Sequence, residues 1–196
     1  PSYDPNNPPD LTSPAYEGVY MNRALGASYT PGSVFKLLTL SAAIENITDL
    51  NGRTFTCTGS AQVGGDTVHC TGVHGDQTIE QALANSCNSA FSEISQELGA
   101  DTIYSYAEKS GFCKSLTVSG IETAAGSIEK AEKGTSNLSW MGIGQYNDLI
   151  SPIAMLRFVS AIANDGVAKG PVLLKNAYAD STRLLNTETA QKLQEH

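Results

Sequence analysis

A chain of 196 residues with 40% hydrophobic content, 18 Gly and 8 Pro has the composition of one globular domain or part of one, which argues against overall disorder. A net charge of −8 argues against nucleic acid as a partner, since phosphate binding needs clustered Lys and Arg, and against a basic helix lying on a membrane. No apolar run approaches the roughly 18–20 residues that span a bilayer, and the opening Pro1-Ser2-Tyr3-Asp4-Pro5-Asn6 is turn-rich rather than signal-like.

Residues 1–18 read as loop, rich in Pro and Asn. Pro31-Gly32 then punctuates the chain, and Val34, Phe35, Leu37, Leu38, Leu40, Ala43 and Ile44 predict a helix from about Ser33 to Asn46. Two β-type runs follow, 53–57 and 66–70, with the turn signal Gly64-Gly65 between them. They predict a hairpin within 53–72 on which Cys57 and Cys70 face each other. Thr78 and Gln81 form a capping box that opens the next helix. The small polar residues Asn85-Ser86-Cys87-Asn88 predict a break, because they compete for backbone hydrogen bonds.

Helical pattern resumes through Phe91, Ile94 and Leu98 and stops at Gly99. Asp101 caps a further helix that ends near Ser110 with Gly111 as its stop. Residues 112–137 read as irregular. Ser151-Pro152 opens an amphipathic helix running to Asn164, stopped by Asp165-Gly166, with Pro at its first position. Pro171 to Leu174 reads as a short strand and Thr187 to Gln194 as a last helix. The expected balance is predominantly helical, with one small β-hairpin.

Ser33-Val34-Phe35-Lys36 sets a hydroxyl and an amine three residues apart at a helix start, on one face and within reach. A serine becomes nucleophilic when a base takes its proton, and a lysine serves when burial and neighbouring cations lower its pKa. The positive end of the helix favours negative charge developing there. A second Ser-x-x-Lys, Ser127-Ile128-Glu129-Lys130, lies in the irregular stretch and reads as a decoy. Any single such pair is commonly a surface pair. Ser86 and Asn88 form the sole Ser-x-Asn of the chain, suited either to capping a helix break or to relaying a proton and holding an amide. The cysteines leave three readings open. These are a Cys57–Cys70 disulfide if the domain is extracytoplasmic, a zinc site with His69 or His74 nearby, or free thiols. The spacing matches no standard zinc module.

Taken together these motifs carry a resemblance. Tyr20-Met21-Asn22-Arg23-Ala24 with Tyr29-Thr30-Pro31-Gly32-Ser33-Val34-Phe35-Lys36 resembles the entry to the catalytic helix of class B penicillin-binding proteins. His74-Gly75 and Ala84-Asn85-Ser86-Cys87-Asn88-Ser89-Ala90-Phe91 resemble the second-motif loop and helix. Gly142-Ile143-Gly144-Gln145, Ser151-Pro152 and Ala161-Ile162-Ala163-Asn164 with Gly166 are similar to the stretch before the third motif. Pro1 to Asn6 looks like the segment after the family's first strands.

The resemblance implies an α+β penicillin-binding protein/serine β-lactamase-like fold and a serine DD-transpeptidase of peptidoglycan cross-linking. Ser33 would be the acylated nucleophile and Lys36 its base. Ser86 would pass the proton to the leaving D-alanine, and Asn88 would orient Lys36 and the donor amide. It implies peptidoglycan stem peptides as substrates, acylation by β-lactams, and no metal or organic cofactor for the chemistry. It further implies a bacterial parent anchored in the plasma membrane, working on its extracytoplasmic face beside a membrane glycosyltransferase. A serine β-lactamase or β-lactam sensor shares the Ser-Lys arrangement, though no Glu-x-x-Leu-Asn type loop follows Ser86. A non-catalytic helical interaction fragment is the reading from another class.

Lys-Thr-Gly does not occur, and the one Lys-Ser-Gly, Lys109-Ser110-Gly111, falls at the expected helix end rather than on the strand that carries the family's third motif; Lys133-Gly134-Thr135 has the wrong order and Lys169-Gly170-Pro171 the wrong composition. Residues 1–196 are therefore expected to be a partial transpeptidase domain, holding its helical part while most of the central sheet lies outside. Weak or no activity alone follows, since losing one oxyanion donor costs roughly 10²–10³ in rate. An uncovered apolar face on the Ser33 helix, through Phe35, Leu38 and Ile44, would then favour either self-association or poor order near the two chain ends.

Overall fold

A computed structural model describes every residue except Pro1, Ser2, Pro5, Leu11, Ala15, Tyr16 and His196; parts of the 1–18 loop expectation therefore fall outside the described residues. The architecture is mixed α+β. Among the described residues, six α-helices surround one core, and eight strands of two to four residues form four separate antiparallel pairs. Helix α1 (Lys36–Asn46) lies at the centre, against α3 (Asn88–Lys109), α4 (Ser136–Ile143) and α6 (Thr187–Glu195). Leu38, Thr39, Leu40, Ser41, Ala42 and Ala43 are all buried, so α1 is apolar or small nearly all round, as a central helix must be. The expectation of an uncovered face is thus overturned. Phe35 and Leu38 are fully buried and Ile44 packs against the same core, because α3, α4 and α6 close on α1 from different sides.

The strand region differs in pairing from the expected hairpin. β2 (Ser60–Val63) and β3 (Asp66–His69) pair across Gly64-Gly65, both at positive φ as a two-residue hairpin turn demands. That register sets Ser60 opposite His69 and leaves Cys57 and Cys70 outside the ladder. β1 (Phe55–Cys57) pairs instead with β4 (Gly75–Gln77), which the sequence reading did not anticipate. Phe55 and Cys57 point into the core while Thr56 faces solvent. Arg53 pairs with both Asp49 and Glu97, tying the entry to β1 onto α3.

The capping box at Thr78 and Gln81 opens α2 (Ile79–Ala84) as expected. The two helices expected on either side of Gly99 are both present within the span of α3, divided where Gly99 takes the non-helical φ of 77° and ψ of 161°. α5 (Pro152–Ala163) starts and stops where the pattern places it. Helix α4 was hidden by its Gly and Ser content. Those small residues let it press on α3: a Cβ at Gly142 would fall 1.9 Å from Ser95 Oγ. β5 (Thr117–Val118) and β6 (Ile121–Glu122) break the irregular stretch briefly. The strand expected at Pro171–Leu174 is not one; β7 (Val167–Lys169) pairs with β8 (Ser181–Arg183). The ladder closes at Gly170 N–H to Asp180 O, 2.8 Å, and Pro171 beyond it has no N–H to donate.

Candidate active site

Ser33 sits on a 3₁₀ turn, Gly32–Phe35, that runs directly into α1. Gly32 has φ +60°, and its N–H donates to Gly144 O at 2.9 Å. Gly144 ends α4 at φ +80°, and a Cβ there would fall 2.5 Å from Gly32 O and from Phe35 Cβ. The Gly142-Ile143-Gly144 segment is therefore the floor under the serine turn. The turn buries Phe35 and Lys36 and leaves Ser33 exposed. One helical turn separates the pair, and Lys36 Nζ lies 3.3 Å from Ser33 Oγ.

The second half of the site comes from the break between α2 and α3. Ser86 adopts φ +50°, a left-handed conformation unusual for a residue with a Cβ. Its carbonyl and hydroxyl thereby both turn toward α1. Lys36 Nζ donates to Ser86 O at 2.7 Å, to Ser86 Oγ at 2.9 Å and to Asn88 Oδ1 at 2.7 Å. Asn88 is itself held, its Nδ2 donating to His69 O at 2.9 Å and its backbone N–H to Cys70 Sγ at 3.2 Å. The Phe91 ring lies 5.5 Å from Nζ. Burial disfavours the ammonium and lowers the Lys36 pKa to about 8, against the opposing pull of Cys70 and Cys87. All four expected site residues, Ser33, Lys36, Ser86 and Asn88, are thus within one hydrogen-bonded cluster.

The other Ser-x-x-Lys makes no such cluster. Ser127 lies on a β-bridge with Leu149, and Lys130 Nζ bonds Asp101 Oδ1 at 2.8 Å. No disulfide joins Cys57 to Cys70, and His69 is exposed on β3. One buried group escaped the sequence reading. Asp148 has both carboxyl oxygens buried without a protein partner, and burial pushes its pKa up to about 7. A lone Asp in a polar loop carries no sequence signal of burial.

This arrangement of helices and paired small strands is that of solved penicillin-binding transpeptidases. The fold matches penicillin-binding protein A from M. tuberculosis, solved as a ceftriaxone acyl-enzyme, with a TM-score of 0.82 at 24% identity over 100% of this chain and 50% of that one. It matches the D,D-transpeptidase domain of a peptidoglycan glycosyltransferase from Eggerthella lenta with a TM-score of 0.80 at 26% identity, over 89% of this chain and 49% of that one. Residues 1–196 match the penicillin binding protein transpeptidase domain throughout, and the chain belongs to that family.

Among curated relatives, stage V sporulation protein D of Bacillus subtilis is 30% identical over 89% of this chain and 27% of its own length. Peptidoglycan D,D-transpeptidase PbpA of Mycolicibacterium smegmatis is 28% identical over 98% of this chain and 42% of its own length. The chain spans less than half the length of these two relatives.

Proposed function

We propose that this chain carries the nucleophile and second motif of a serine DD-transpeptidase, acylated by D-Ala-D-Ala stem peptides and by β-lactams. The observation that supports it is the single amine of Lys36, within 3.3 Å of Ser33 Oγ and bonded to both Ser86 and Asn88. As a neutral amine, Lys36 donates two N–H bonds, to Ser86 O and Asn88 Oδ1, and keeps its lone pair for the Ser33 hydroxyl proton. Ser33 Oγ then attacks the penultimate D-Ala carbonyl and Lys36 takes the proton. As the C–N bond breaks, the proton passes through Ser86 Oγ to the departing D-Ala amine. An acceptor amine reverses these steps and forms the cross-link. A β-lactam follows the same first half, but its leaving amine stays tethered and the ester persists.

The reading takes residues 1–196 as the helical part of a transpeptidase domain. It is supported by the half-length match to solved domains and by the place of the one Lys-Ser-Gly, Lys109-Ser110-Gly111, which closes helix α3 instead of lying on a strand. Work on peptidoglycan implies the extracytoplasmic face of the plasma membrane and a glycosyltransferase that makes the strands. Among the described residues no helix is long and apolar enough to cross a membrane.

Intact-protein mass spectrometry of the full transpeptidase domain after benzylpenicillin tests the reading. One adduct, lost in Ser33→Ala, supports it. An adduct that survives Ser33→Ala overturns the nucleophile, and rapid turnover of a chromogenic cephalosporin points to a β-lactamase.

A further inference from the structure

Beside the Lys36 cluster lies a second convergence of reactive side chains that the transpeptidase chemistry does not use. Cys57 at the end of β1, Cys70 just after β3, His74 in the loop before β4 and Cys87 inside the second motif bring their ligand atoms together. Three thiol sulfurs and one imidazole nitrogen all lie within 4.8 Å of one another. Cys57 and Cys87 are buried, and Cys70 and His74 half-buried. The residues come from three separate segments, the end of β1, the β3–β4 loop and the break between α2 and α3, so no local periodicity explains their meeting.

The spacings are those of a tetrahedral metal centre. Zinc–sulfur bonds of about 2.3 Å and zinc–nitrogen bonds of about 2.0–2.1 Å at tetrahedral angles set ligand atoms about 3.8 Å (S to S) and about 3.6 Å (S to N) apart. Cys70 Sγ lies 3.8 Å from Cys87 Sγ and 3.6 Å from His74 Nδ1. A disulfide would need its sulfurs at about 2.05 Å, and it has no use for a third thiol or an imidazole. Donors that favour thiolates already face the cluster. The Asn88 N–H points at Cys70 Sγ at 3.2 Å, and Ser89 Oγ lies 3.4 Å from Cys57 Sγ.

We propose that Cys57, Cys70, His74 and Cys87 form a structural zinc site, a closed Cys3His tetrahedron that pins the strand region to the second motif. Three thiolates and an imidazole form a soft donor set that selects zinc over magnesium or calcium. The sequence Cys-x12-Cys-x3-His-x12-Cys departs from standard zinc modules because the hairpin β2–β3 is inserted between the first two ligands. The site's consequence for Lys36 is positional. Cys87 separates Ser86 from Asn88, and Cys70 holds the Asn88 backbone, so the metal fixes the segment that supplies three oxygen partners of Lys36, Ser86 O, Ser86 Oγ and Asn88 Oδ1.

The test is metal content of the reduced full-length protein, followed by titration of the stripped protein with Co²⁺ alone. About one zinc per chain is expected, with the intense visible bands and sulfur-to-cobalt charge transfer of a tetrahedral thiolate site. In Cys70→Ser the zinc content should fall to a small fraction of that. Because this variant can fail for want of folding, thiol alkylation of the wild type supplies a second reading. Cys113 lies outside the cluster and should react alone in the zinc form, whereas all four cysteines should react after chelation. Substoichiometric zinc, an octahedral cobalt spectrum, or a disulfide among Cys57, Cys70 and Cys87 in place of metal would each overturn the site. None of these readouts depends on penicillin acylation, so the two proposals fail separately.

Discussion

The helical nest of α1, α3 and α4 and the strand region of residues 55–77 meet at Ser86-Cys87-Asn88, and different physics holds each. In the nest, close packing dominates. Buried Leu38, Leu40, Phe91, Leu138 and Met141 fill the space between helices, and glycines at 142 and 144 allow contact that no Cβ would permit. The strand region has two short ladders, few buried residues and a cluster of thiols. A large core can hold a buried lysine in place by itself. Two separate two-stranded pairs cannot, and a cross-link is the physical remedy.

The sharpest way to break this contrast is at Lys36. Lys36→Met removes the amine while keeping its apolar stem, and the rate of β-lactam acylation should fall by about 10²–10⁴, the usual worth of a placed general base. Stopped-flow acylation of the full domain reads it. Unchanged acylation would move the base elsewhere.

The packing side of the comparison predicts a smaller effect. Gly142→Ala forces a methyl onto Ser95 in a nest with no slack and should cost about 1–3 kcal/mol, read as a lower midpoint in urea. The same substitution at Gly65, a turn position with nothing within 4 Å, tests strain without crowding and should cost less, despite its φ of +87°. Equal costs would mean that packing density does not distinguish the two regions.

Asp148 offers a pH handle on the helical side. Its folded pKa of about 7 lies above the ordinary 3.8, so the native state keeps a proton that the unfolded chain releases across roughly pH 4–7. Stability should therefore fall as pH rises through that window, by up to about 1.4 kcal/mol per unit. Asp148→Asn should flatten that slope, as followed by thermal melts across pH. Thr78→Ala, which removes the capping box of α2, is expected to cost about 0.5–2 kcal/mol by the same measurement.

The two regions were also unequally legible in the sequence. Helices α1, α2, α3, α5 and α6 announce themselves because caps, apolar spacing and the stops at Gly99, Gly111 and Gly166 agree locally. Ser33, Lys36, Ser86 and Asn88 could be picked out because each pair lies within one turn or one break. α4 was lost because tight helix contact needs Gly and Ser, the residues that also mark loops. In the strand region, strands of three and four residues are too short to show a period, so β1 was paired with the wrong partner. The turn at Gly64-Gly65 nevertheless carried the register. A two-residue loop there pairs Ser60 with His69, and this alone rules out Cys57 facing Cys70 across the ladder. The meeting of Cys87 with Cys70 depends on tertiary packing, which no spacing encodes.

The central claim is that burial and two acceptors hold Lys36 as a neutral base for Ser33. The pH dependence of β-lactam acylation by the full domain tests it most directly. Acylation should climb about tenfold per pH unit below the Lys36 pKa of about 8 and level off above it, since only the neutral amine accepts the Ser33 proton. A rate that is flat across pH 6–9, or one still climbing toward the ordinary lysine value of 10.5, would contradict it.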